Sequence, residues 1–254
     1  APHLLAALDQ ASGVVVGQRR VSDKSNEIPA LRDLLAPMDL DGALITADAM
    51  HTQRSTAQWI ISRGAHYLLT VKDNQPGLKR ELGALPWKDV PAVSSVDTGH
   101  GRRVRRTVQA VEAPARVDFP GAAQVIRIRR TTTTAKRGST GGNGRAKKKT
   151  TTTEVVHLIC SLPMDQAQPE AVASWARDHW AIENRLHWIR DVVFDEDRHR
   201  LRTGNAPQVM AALRNLAISL IRLAHGPAAS IAATTRAMAP HPRRAIDLIT
   251  RPPR

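Results

Sequence analysis

Apolar positions along the first eighty residues come in short bursts separated by turn chemistry. His3 to Leu8 is a brief apolar run, Asp9-Gln10-Ala11-Ser12-Gly13 supplies turn residues, and Val14 to Val21 resumes with β-branched side chains, which predicts an antiparallel hairpin. Ile28, Leu31, Leu34 and Leu35 then recur at helical spacing, with Pro29 suited to a first turn, so residues 30–38 read as a short helix. The apolar run Gly42 to Ala47 stops abruptly at Asp48. Ser55 to Gly64 has a helical pattern closed by glycine, and His66 to Val71 is a further strand. Hairpin, helix, strand, helix, strand is the order of an α/β protein with a mixed sheet flanked by helices.

Beyond Pro86 the pattern shifts to isolated strand-like stretches, at residues 104–111, 124–129 and 152–158, so residues 86–161 read as a β-rich insertion. Residues 131–149, rich in Thr, Gly and basic side chains, read as a basic loop within it. Helical periodicity returns after Pro163. One long helix is expected from Glu170 to about Val193. A second runs from Ala206 to His225, its apolar stripe formed by Val209, Leu213, Leu216, Leu220 and Leu223 and its end marked by Gly226. The Pro- and Arg-rich residues 240–254 read as a frayed tail. The expected organisation is residues 1–85 as the first part of a core, 86–161 as the insertion, 162–226 as the C-terminal helices of the core, and 227–254 as a basic tail.

Composition narrows the function classes. The 254 residues carry 37 Lys and Arg against 23 Asp and Glu, a formal net charge of +14, which points to a polyanionic partner, nucleic acid first among them. The excess is local: Phe119 to Thr153 holds no acidic residue, while nine basic ones fall between Arg127 and Lys149. A single cysteine, Cys160, excludes an internal disulfide framework and a multi-cysteine zinc site and suggests a reducing cytosol. No apolar run approaches the ~20 residues of a spanning helix, so no membrane association is expected, and the N-terminal residues do not read as a signal peptide.

Two acidic residues stand out. Asp48 ends an apolar strand, where open α/β sheets place ligand-binding groups; the competing reading is a cap for the following turn. Glu183 lies in Trp175-Ala176-Arg177-Asp178-His179-Trp180-Ala181-Ile182-Glu183-Asn184-Arg185-Leu186-His187-Trp188-Ile189-Arg190. At about 100° per residue His179, Glu183, His187 and Arg190 share one stripe, beside an apolar stripe of Ile182, Leu186, Ile189 and Val193. Glu183 could serve there as metal ligand or general base, or as one half of an ordinary ion pair with Arg190 or His187. A zinc site of His179, Glu183 and His187 is a weaker reading, because no His-Glu-x-x-His motif is present.

Longer stretches carry a family resemblance. His3 to Asp9, Lys24-Ser25-Asn26-Glu27-Ile28-Pro29, Thr46-Ala47-Asp48-Ala49-Met50-His51-Thr52-Gln53, Tyr67 to Pro76, Gly99-His100-Gly101-Arg102 and His179 to Trp188, continuing through Asp191 to Asp197, resemble the H-repeat-associated (ISAs-type) DDE transposases, in order and over nearly the whole chain. The resemblance implies an RNase H-like mixed sheet flanked by helices, with the β-rich insertion preceding a C-terminal catalytic helix. It also implies two Asp and one Glu holding two divalent ions, Mg²⁺ or Mn²⁺, for phosphodiester cleavage and strand transfer at insertion-element ends. Asp48 matches the second Asp and Glu183 the Glu, both as catalytic residues and metal ligands. Supporting roles fall to His179, Asn184 and Arg190; His179 and Arg190 stand where related transposases carry Arg and Lys, and Ala176 stands where they carry Tyr.

The first Asp of the family lies in a strand upstream of the opening hairpin, so the expectation is a chain corresponding to the C-terminal major part of a transposase, with weak catalysis; Asp9, in turn chemistry, is a poor substitute. The resemblance further implies DNA contacts from Lys72, Asn74 and Gln75, and phosphate contacts from Arg102, Arg103, Arg105, Arg106, Arg127, Arg129, Arg130, Lys147, Lys148 and Lys149. The expected partner is double-stranded DNA, engaged by a homo-oligomer in the bacterial cytoplasm at the nucleoid. The alternative is a catalytically inactive DNA-binding remnant.

Overall fold

The computed structural model describes residues 4–21, 27–99, 101–135, 149–201 and 203–250. The chain divides into two compact units, residues 1–39 with 177–254, and residues 40–176.

The first unit opens with the expected hairpin. Strands β1 (Leu4–Leu8) and β2 (Val15–Arg20) pair antiparallel from Leu4 opposite Arg20 to Leu8 opposite Val15. The turn is held by Asp9, whose carboxylate accepts from the Ser12 amide at 2.9 Å and from the Ser12 hydroxyl. That bond with the hydroxyl holds the Asp9 carboxyl below its usual value despite partial burial. Helix α1 (Glu27–Leu35) buries Ala30, Leu31, Leu34 and Leu35. The helix and the turn that follows it come so close to the hairpin that a Cβ at Gly17 would lie 2.5 Å from the Met38 methyl and 3.0 Å from Leu34. Helix α5 (Ala206–His225) packs on β2: the Val15 amide donates to the Ser219 hydroxyl at 3.0 Å, and the Asn215 amide donates to Gln18. Leu186, Ile189, Ile218, Ile221 and Ile231 form the core of this unit.

Two expectations fail here. The buried face of α5 is Ala211, Arg214, Asn215, Ile218, Ser219, Ile221 and Arg222. The leucine-rich stripe points outward, with Val209, Leu213, Leu216 and Leu223 each about half exposed, at 53, 52, 51 and 50%. Polar side chains are drawn inward because each meets a partner; the Arg222 guanidinium, for example, donates to the carbonyls of Gly13 and Arg185. Helix α6 (Ile231–Met238) is capped by the Ser230 hydroxyl, which accepts from the Ala233 amide, and α7 (Pro242–Thr250) is helical where residues 240–254 were expected to fray.

The second unit is built on a six-stranded sheet of order β3-β4-β8-β7-β6-β5. Strand β3 (Leu44–Ala47) and β4 (His66–Val71) are parallel and are joined through α2 (Arg54–Ser62); every other pair is antiparallel. Helix α3 (Pro76–Gly83), with proline in its first turn, follows β4. The expected insertion continues the same sheet as β5 (Val93–Gly99), β6 (Arg102–Glu112), β7 (Gln124–Ala135) and β8 (Lys149–Cys160). Strand β5 carries no apolar alternation because it is an exposed edge. Residues 131–135 and Lys149, expected in a loop, extend the β7–β8 ladder; the remainder of that expected loop, with Lys147 and Lys148, lies outside the described residues.

Tyr67, Leu68, Leu69, Val125, Ile126, Leu158 and Ile159 fill the core of this unit; full burial of such a Leu or Ile is worth ~1.5–3 kcal/mol. The Tyr67 hydroxyl donates to the Pro120 carbonyl at 2.7 Å, and its ring meets Phe119 edge-on at 5.9 Å. The bend there needs glycine: Gly121 has φ +66°, and a Cβ on it would lie 2.2 Å from Ile61. Among the described residues no helix is long and apolar enough to cross a membrane.

Candidate active site

Asp48 stands immediately beyond β3, at the carboxyl end of the parallel pair, exposed and with extended backbone (φ −63°, ψ 160°). It precedes a single 3-10 turn, Ala49–His51, but its side chain makes no capping bond to that turn. The loop is anchored instead by other groups. The Thr52 hydroxyl donates to the Thr70 carbonyl at 2.6 Å, the Asn74 amide to the Ala49 carbonyl at 2.6 Å, and the Gln75 amide to the Thr52 carbonyl at 3.0 Å. Asn74 and Gln75, assigned to DNA by resemblance, thus hold the backbone that presents Asp48. Lys72 is exposed beside them, and Asp73 is paired with Lys79 at 2.6 Å.

Glu183 belongs to the other unit. Helix α4 (Pro169–Trp180) is followed by two wide turns, residues 183–187 and 189–193, in which amides reach back five residues: Trp188 donates to the Glu183 carbonyl and Phe194 to that of Ile189. A wider turn advances less than 100° per residue, so the stripe expected from uniform helical pitch is not kept. Glu183 and Asn184 are exposed, His179 and His187 are half-buried, and Arg190 turns inward beside Leu186 and Ile189. Among the described residues Glu183 has no ion-pair partner, and no three His, Cys, Asp or Glu side chains cluster to hold a metal ion, which removes the zinc reading of His179, Glu183 and His187.

Arg190 has a partner that sequence reasoning missed. Glu196 accepts from both Arg190 nitrogens, at 2.8 Å from Nε, and lies 3.5 Å from an Arg214 nitrogen on α5. Both arginine side chains are only 8% exposed, and that of Glu196 14%. Burial alone pushes the Glu196 carboxyl up, but the Arg190 hydrogen bond and the charges of Arg190, Arg214 and His187 together hold it below its ordinary value. Helical spacing gives no hint of this pair, because Asp195 breaks the helix with a left-handed backbone (φ +51°) and returns Glu196 to the helix flank. Closer by, Arg185 reaches the Gln10 carbonyl at 3.4 Å, tying the wide-turn segment to the β1–β2 turn.

Of the basic candidates, Arg127 is spent internally, donating to Gln109 at 3.0 Å and lying 4.9 Å over the Trp87 ring. Arg106 pairs with Asp97, and Arg130 lies 4.0 Å from Glu154. Arg102, Arg103, Arg105, Arg129 and Lys149 are exposed.

Residues 3–220 match the transposase DDE domain family. The chain is 31% identical over 227 residues to the putative transposase YncI of Escherichia coli O157:H7, which covers 87% of this chain and 56% of that protein. It is 31% identical over 229 residues to the H repeat-associated putative transposase YhhI of Escherichia coli strain K12, with 86% and 58% covered. The chain therefore spans a little over half the length of these relatives. Among solved structures, a piggyBac transposase synaptic complex with hairpin DNA aligns with 92% of this chain and 44% of its own, at 13% identity and a TM-score of 0.45. With a match across residues 3–220 and relatives at 31% identity, the chain belongs to the transposase DDE domain family.

Proposed function

We propose that the chain belongs to an insertion-sequence transposase that cleaves DNA at element ends and transfers the strand. The observation that carries this is Asp48, an exposed carboxylate at the carboxyl end of the parallel strand pair, on a loop held by Thr52, Asn74 and Gln75. An antiparallel hairpin followed by helix, strand, helix and a parallel strand supports an RNase H-like core. Asp48 and Glu183 are the residues that would hold divalent metal. Carboxylate oxygens are the donor chemistry of Mg²⁺ and Mn²⁺, and Mg²⁺ is commonly held by one or two carboxylates with its remaining positions hydrated. When bound, such ions polarise the phosphodiester and stabilise the attacking and leaving oxygens. The chain's own residues fix the donors: Asn74 and Gln75 hold the Asp48 loop, and the Arg190–Glu196–Arg214 network holds the end of the segment that carries Glu183. His179 and Asn184, neighbours of Glu183 in sequence, have supporting roles. Double-stranded DNA is the partner, bound by a homo-oligomer in the bacterial cytoplasm.

The test is cleavage of a supercoiled plasmid bearing the element ends, with Mg²⁺ or Mn²⁺, by protein expressed from its complete reading frame. Metal-dependent nicking is expected, and Asp48→Asn and Glu183→Gln should each abolish it while DNA binding persists. Undiminished cleavage in both variants would overturn the assignment. Salt-dependent binding with no cleavage by the parent protein would favour the non-catalytic DNA-binding reading.

A further inference from the structure

The register of β5 to β8 sorts the charges of the ribbon by face. Residues directly opposite in antiparallel strands share a face, so Thr98, Arg103, Thr133 and Thr151 form one row, Val96, Arg105, Thr131 and Thr153 the next, and Ser94, Thr107, Arg129 and Val155 a third. Among the described residues of these strands, that face holds no carboxylate. Its Arg103, Arg105 and Arg129 are exposed, and its hydroxyls bridge neighbouring strands, Thr133 to Thr151 at 3.2 Å and Ser94 to Thr107 at 3.2 Å. The opposite face carries every acidic residue of this outer ribbon, Asp97 and Glu154, each beside an arginine, Arg106 and Arg130 respectively. Inward along the cationic face the rows end at Arg127, which is folded onto Gln109 and Trp87.

The position of the ribbon also follows from the register. Strand β8 pairs with β4 only from Leu68 opposite Cys160 to Val71 opposite His157. Residues 149–156 therefore run past the carboxyl end of β4, the same end of the sheet at which β3 delivers Asp48.

We propose that the face bearing Arg103, Arg105 and Arg129, and not the reverse face, seats one strand of the duplex DNA backbone. The inference rests on the transposase reading and deepens it by naming the surface. Three rows span about 13 Å along the strands and four strands about 14 Å across them, an area that matches roughly four successive phosphates of one strand. Exposed arginines meet those phosphates, and the hydroxyl ladder supplies neutral donors between them; such contacts position DNA without reading its sequence. A carboxylate-free face attracts the polyanion, whereas the paired face presents alternating signs that largely cancel within a Debye length.

The test is equilibrium binding to a 30-bp duplex of arbitrary sequence in EDTA, across a salt titration, so that cleavage plays no part. Arg103→Gln, Arg105→Gln and Arg129→Gln combined should flatten the slope of log K against log salt by about 2.7 and weaken binding at 0.15 M salt by about two powers of ten. The same positions changed to Lys should keep most of the slope. A variant combining Asp97→Asn, Arg106→Gln, Glu154→Gln and Arg130→Gln keeps the net charge and should bind like the parent. Equal losses from both faces, or an unchanged slope in the triple Gln variant, would overturn the proposal while leaving the transposase reading standing. A parent protein that binds no duplex at low salt would overturn the DNA reading itself.

Discussion

Replacing Glu196 with Gln keeps the shape of the side chain but removes the single negative charge between two guanidiniums that are each 8% exposed. The hydrogen bonds lose their ionic character, and Arg190 and Arg214 are left as like charges in a confined space. Breaking a buried ion pair by removing one partner costs ~3–5 kcal/mol. Glu196 retains 14% exposure, and water reaching it lowers the expected loss to ~2–4 kcal/mol. For a protein of this length that corresponds to a fall in Tm of roughly 4–16 °C. The assay is urea and thermal unfolding of Glu196→Gln beside the parent across pH. Because the folded carboxyl titrates below its unfolded value, its stabilisation is complete above an unfolded pKa of about 4.3 and is lost as pH falls through the folded one. Below that range the two proteins should converge. A loss under 1 kcal/mol at neutral pH, or a difference that widens on acidification, would refute the reasoning.

Other expected outcomes need only unfolding or labelling. Gly121→Ala, with φ +66° and Ile61 at 2.2 Å from the new Cβ, should cost more in urea unfolding than Gly42→Ala, which has φ +67° and open space around it; the backbone share alone is ~1–2 kcal/mol, and equal losses would discount the Ile61 contact. On α5, Ile218→Ala should destabilise by ~2–5 kcal/mol while Leu213→Ser stays within about 0.5, and the reverse order would show that the outward stripe is the packed one. Burial pushes the Cys160 thiol up to about 11, so a thiol reagent at pH 8 should label it only after denaturation; rapid native labelling would contradict its placement.

Local pattern carries much of this structure and stops where tertiary partners decide. The hairpin, β4 at His66–Val71 and α5 at Ala206–His225 with its terminal Gly226 follow from alternation, helical period and turn residues alone. The buried side of α5 does not, because counting leucines ignores that Arg214, Asn215 and Arg222 each find an inward partner in Glu196, Gln18 and the Gly13 carbonyl. Strand β5 escapes notice as a polar edge, and α7 hides in a Pro- and Arg-rich composition. At the candidate site, the position of Asp48 at a strand end is readable from the abrupt stop after Ala47. The roles of Asn74, Gln75 and Glu196 depend on contacts across 25, 23 and 6 residues that no fixed period encodes.

The outer β7–β8 hairpin sets Thr131 to Thr134 against Thr150 to Thr153, so its own side chains cannot tell one alignment from another two residues away. Alignment is inherited from the inner rows, where Ile126 and Ile128 lie opposite Leu158 and Val156 and a shift would expose the core. The threonine tract therefore acts as a spacer of adjustable length: two residues added to each strand would lengthen the ladder by about 7 Å and leave every inner row on its face, while a one-residue shift of one strand against the other would turn its side chains to the opposite face.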